Sequence, residues 1–121
     1  MTKHLLIAAI LAAFAFATGQ ASAHAFLDHA VPAVGSTVAV SPPEVSAWFT
    51  EEVEPAFSKI EVTDAGGNRV DKGDSHVDPS DPTLLHVSLK PLGPGTYQVH
   101  WHVVSVDTHH TQGDFTFTVG P

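Results

Sequence analysis

From residue 24 onward, apolar side chains in this chain recur at every second position, and no stretch carries the three- and four-residue spacing of an amphipathic helix. Val45, Ala47 and Phe49 share one face of an extended run, as do Leu85, Val87 and Leu89, then Tyr97, Val99, Trp101 and Val103, then Phe115, Phe117 and Val119. Gly, Pro, Asn and Asp punctuate these runs and keep each one short. A chain of this pattern can only bury its apolar faces by stacking one sheet on another.

The spacing predicts strands over 25–31, briefly around Val38 and Val40, then over 45–50, 57–63, 85–89, 96–104 and 115–119. Asp64 to Asn68 predicts a hairpin turn into a short Arg69-Val70 strand, and residues 71–82, polar and bounded by proline, the longest loop. About seven short strands of this kind predict an all-β, antiparallel Greek-key sandwich. Its core should contain Phe49, Ile60, Val62, Leu85, Val87, Tyr97, Val99, Trp101, Phe115 and Phe117.

Residues 1–23 read differently. A short basic start, an almost wholly apolar run over 5–17 and the Ala21-Ser22-Ala23 box predict a secretory signal cleaved after Ala23. The run is too short to span a bilayer comfortably. Cleavage leaves one domain, residues 24–121, with four Lys and Arg against 13 Asp and Glu. A net charge of −9 with histidines neutral argues against nucleic acid and anionic membrane surfaces. The chain has no cysteine and Met1 is its only methionine, so the processed domain offers neither thiolate nor thioether ligands. It keeps eight of the nine histidines, an excess that calls for a role.

The most informative of these lie in Asp107-Thr108-His109-His110. On an extended backbone Asp107 and His109 share a face and His110 takes the other. A carboxylate beside an imidazole suits Cu(II), Zn(II) or Ni(II), although Asp107 could equally cap a turn. Cleavage would also make His24 the first residue, where its ring and free α-amine form a chelate from one residue. That amine, with an ordinary pKa of about 7.7–8, is readily deprotonated by a metal at neutral pH. His24, Asp107 and His109 then supply three nitrogens and one oxygen, a tetragonal donor set that favours Cu(II). His100 and His102 share a strand face opposite Trp101, either as ordinary surface residues or as a second, weaker site. His29, His76 and His86 show no ligand spacing.

Several motifs occur together and in order: His24 after an A-x-A box, Pro32-x-x-Gly35-Ser36, and Phe49-Thr50-Glu51-x-Val53. They continue with Gly95-Thr96-Tyr97-x-Val99-x-Trp101 and Val104-Ser105-x-Asp107-x-His109-x-x-x-Gly113-x-Phe115-x-Phe117. In these the chain resembles the CopC family of small periplasmic copper-binding proteins, over essentially all of residues 24–121. The resemblance implies an immunoglobulin-like or cupredoxin-like sandwich or barrel with one Cu(II) at one end, held by His24, Asp107 and His109. Glu51 matches an acidic position near the copper in relatives, and His110 stands where proline is common; both are expected as outer neighbours of the site. Without methionines, a Cu(II)-only protein is expected.

The resemblance further implies a monomeric periplasmic protein for copper resistance, sequestration or delivery to a separate CopD-type inner-membrane importer, with no membrane insertion of its own after processing. The alternative is a histidine-brace copper oxidase or monooxygenase. The small domain, the Asp107 carboxylate in a position needed for oxygen and the lack of an extended aromatic surface weigh against an enzyme.

Overall fold

The computed structural model describes residues 24–121; the expected signal segment lies outside the described residues. Eight strands form: β1 (Leu27–Val31), β2 (Thr37–Val38), β3 (Glu44–Phe49), β4 (Lys59–Thr63), β5 (His76–Asp78), β6 (Asp81–Ser88), β7 (Gly95–Val104) and β8 (His110–Val119). They build two four-stranded sheets, ordered β1-β3-β6-β5 and β2-β8-β7-β4. Only β5–β6 and β7–β8 are hairpins within one sheet; every other connection crosses from one sheet to the other. These crossings make an all-β sandwich, as the alternation predicts.

All ten expected core residues are buried between the sheets, joined by Ala25, Val45, Ala47, Val53, Leu89, Leu92, Val103 and Val119. The Trp101 ring meets Phe49 edge-on at 5.2 Å between centres, spanning the two sheets. It lies over Gly113, its direct partner across the β7–β8 ladder. A Cβ on Gly113 would come within 2.6 Å of that ring, so the absence of a side chain there is what lets the indole lie flat on β8.

Four expectations change. Residues 71–82 are not one loop: β5 lies within them, and β6 already begins at Asp81. The His76-Val77-Asp78 strand carries a single apolar residue, so alternation could not reveal it; the ladder with β6 makes it a strand. Pro55–Phe57 is a 3-10 turn with Phe57 exposed, and β4 starts only at Lys59. β8 begins at His110, five residues before its first aromatic. Finally, β2 pairs with β8 in parallel, so the sheets are not wholly antiparallel.

One buried carboxylate anchors the β4 side. Asp71 is 4% exposed and accepts hydrogen bonds from the Val62 and Gly73 backbone N–H groups and, at 2.7 and 2.8 Å, from Nη2 and Nε of Arg69. Burial alone would raise its pKa; the Arg69 and backbone donors outweigh that and hold it below the usual carboxylate range.

Two outcomes follow. Gly113→Ala should destabilise the domain by about 1–3 kcal/mol, read as a lower denaturant midpoint, because Trp101 must leave its place. A carboxyl depressed in the folded state stabilises above its unfolded pKa of about 3.9 and loses that contribution as pH falls through the folded value. Asp71→Asn should therefore cost about 2 kcal/mol at pH 7, and its stability should fall less steeply than the parent's from pH 4 downward. Denaturant titrations at both pH values measure this.

Candidate metal centre at the β7–β8 hairpin

The hairpin between β7 and β8 is closed by Val104 paired with His110, leaving residues 105–109 as its loop. Ser105 is fully buried and bridges to Val53. Its N–H donates to the His109 carbonyl at 3.0 Å, and the Thr108 N–H returns to the Ser105 carbonyl at 2.8 Å. These bonds fold the segment into a tight turn in place of the extended run expected from sequence. Asp107 and His109 still meet, but for a different reason: the turn, with Thr108 at φ +72°, brings them together. A β-branched residue in that left-handed region is strained, and such strain concentrates at functional loops.

Asp107 Oδ2 lies 3.1 Å from His109 Nδ1, and the Ser105 hydroxyl donates to Asp107 Oδ1. The Ser105 hydrogen bond, foremost, and His109 keep the Asp107 carboxyl below its ordinary range, so it is an anion at neutral pH. About half of the His109 side chain and a third of that of Asp107 face solvent.

The third candidate, His24, comes from the segment that leads into β1 of the other sheet. Ala25 is fully buried, and its carbonyl accepts from the Thr111 hydroxyl near the start of β8. The Phe26 N–H donates to Thr50 Oγ1 at 3.0 Å, and the Thr50 N–H to the Phe26 carbonyl at 2.8 Å. This strap seats His24, half-buried, against the hairpin: its ring centre is 4.2 Å from that of His109, at a tilt of 31°. The structure thus brings His24, Asp107 and His109 to one end of the sandwich.

Among the described residues, no group of three His, Cys, Asp or Glu side chains is already arranged as a metal cage. The Asp107 carboxylate is engaged within the hairpin by Ser105 and His109. Glu51 is exposed, one residue beyond Thr50. His110 sits on the outer face of β8 and lines a shallow hollow of about 300 Å³ with His102, Thr111 and Gln112. His100 faces Asp114, with 2.7 Å between Nδ1 and Oδ1. Partial burial, then the charge of Lys59, holds His102 below the usual imidazole range. Sequence reasoning missed the supporting role of Ser105, Thr50 and Thr111. The signal for Ser105 was its position at a strand end two residues before an aspartate.

Fold and site together define a small β-sandwich that gathers two imidazoles and a carboxylate at one end. The chain belongs to the CopC domain family, whose profile matches residues 27–120. Protein YobA of Escherichia coli (strain K12) is 40% identical over 98 residues, 80% of this chain and 79% of YobA. Copper resistance protein C of Escherichia coli is 33% identical over 130 residues, 98% of this chain and 97% of that protein. The crystal structure of CopC from Methylosinus trichosporium OB3b matches with a TM-score of 0.72 at 37% identity, covering 81% of this chain and 95% of that one.

Replacing Thr108 with glycine should relieve the left-handed strain and stabilise the domain by about 1 kcal/mol, seen as a higher denaturant midpoint.

Proposed function

We propose that this chain is a periplasmic copper-binding protein, which takes one Cu(II) per chain as cargo through His24, Asp107 and His109. The observation that carries this reading is the approach of the His24 and His109 rings to 4.2 Å beside the Asp107 carboxylate. Two imidazoles bound side by side to one ion, at about 2.0 Å per bond, have ring centres roughly 4.5 Å apart. The spacing of the rings is thus close to that of two imidazoles on one ion. Their donors are borderline nitrogen and hard oxygen, with neither thiolate nor thioether after residue 23, which favours Cu(II) over Cu(I). The name of copper resistance protein C, similar over nearly its whole length, supports the same cargo.

In the full-length chain the His24 nitrogen is an amide joined to Ala23, and only cleavage there turns it into an amine. We read processing as the step that completes the site. The released amine adds a third nitrogen, and Asp107 supplies the oxygen. Glu51 and His110 are outer neighbours of this centre. The role we propose is binding and not catalysis: were Asp107 to bind the ion beside His109, its carboxylate would fill a position that oxygen activation requires. Copper would be held for resistance or sequestration, or passed to a separate CopD-type membrane protein. No helix among the described residues is long and apolar enough to cross a membrane.

Electron paramagnetic resonance of the processed protein with one equivalent of Cu(II) tests the ligand set. A tetragonal signal with three coupled nitrogens is expected. Retaining Ala23, or replacing His24 or His109 with alanine, should weaken binding at least tenfold and remove one or more nitrogens from the signal. Equal affinity in the Ala23-retaining protein would overturn the role of the His24 amine.

A further inference from the structure

A second group of ligating side chains lies on the outer face of the β1-β3-β6-β5 sheet, unconnected to the hairpin. His86, on β6, stands between Ser46 on β3 and His76 on β5, its direct ladder partners on either side. Its side chain is only 16% exposed. Nε2 lies 2.8 Å from Asp78 Oδ1, while Nδ1 lies 2.9 Å from Ser46 Oγ and 3.6 Å from Glu44 Oε1. The His76 ring centre is 5.5 Å from that of His86.

Tautomers decide what these groups offer. His76 Nδ1 is 2.8 Å from the Asp74 carbonyl, which can only accept, so the ring proton sits on Nδ1 and the lone pair on Nε2. A histidine whose second nitrogen donates to a backbone carbonyl is oriented as metal-ligating histidines are. On His86, a proton moved to Nδ1 is accepted by Ser46 Oγ, whose own hydroxyl donates to Glu44 at 3.4 Å. That move frees Nε2 beside the Asp78 carboxylate.

We propose that His76, His86 and Asp78 form a second, weaker site for a borderline divalent transition ion, with Ser46 and Glu44 holding the His86 ring. The distances support it. Neighbouring donor atoms on one ion with bonds of about 2.0–2.1 Å are roughly 2.9–3.4 Å apart, close to the 2.8 Å between His86 and Asp78. Imidazoles at about 120° around such an ion have centres roughly 5.5 Å apart, the spacing of His76 and His86. The Asp78 carboxylate accepts from His86 through Oδ1 and from the Ser80 hydroxyl through Oδ2, so both oxygens already face donors. A purely structural tie between β5 and β6 would need the His86–Asp78 contact but not a second imidazole with its lone pair free. The set is incomplete as it stands, and binding would require the exposed His76 ring to shift toward the His86–Asp78 pair while keeping Nδ1 on Asp74.

Zn(II) titrated into an Asp107→Ala/His109→Ala double variant tests the site, with the hairpin ligands removed so that the result does not depend on where copper binds. One equivalent should bind at micromolar concentration, and nitrogen-15 spectra should show the His76 and His86 rings shifting together. Adding His76→Ala should weaken uptake at least tenfold, with the denaturation midpoint unchanged. Absence of that equivalent, uptake indifferent to His76→Ala, or shifts confined to His102 and His110 would each overturn the proposal.

Discussion

The site end of this molecule depends on the burial of one small residue. Ala25 is fully enclosed, and its carbonyl is held by Thr111 of the opposite sheet, while Phe26 is held by Thr50 of its own. Those contacts tie residues 25 and 26 across one end of the sandwich. A larger residue at 25 would meet the core and push the strap outward. His24 reaches His109 only because the residue after it is locked in place.

The two halves of the hairpin centre are prepared in different ways. Asp107 and His109 are set by a turn whose hydrogen bonds close on the buried Ser105, so their geometry is local and stiff. His24 is set by tertiary contacts between segments that are distant in sequence. As a candidate ligand set under the proposed function, these three residues are half preorganised. Under the proposed function, an ion there would replace part of the Ser105 and His109 contacts of Asp107, a cost set against the close imidazole pair. On the β5–β6 face, the His86–Asp78 pair lies beside the more exposed His76 imidazole.

Much of the architecture was legible because burial on a pleated surface forces a period of two. Every expected core residue obeys it, from Phe49 to Phe117. What escaped had no such signature. β5 holds one apolar residue, the first half of β8 is polar on both faces, and the β2–β8 pair joins residues some 80 positions apart. These are strands because a neighbour supplies the ladder, and sequence patterning has no access to that. His86, whose sequence neighbours showed no ligand spacing, has its partners on β3 and β5.

By itself, the sequence determined the two-layer β class, the core, the absence of sulfur side chains after residue 23 and the candidates His24, Asp107 and His109. Those properties are carried by residue type and local spacing. The tertiary structure alone decided that His24 stacks beside His109, that Asp107 is gripped by a buried serine, and that His76, His86 and Asp78 converge on another face. Each of these joins strands or segments by closing a loop, and loop closure is settled by the free energy of the whole core rather than by neighbouring residues.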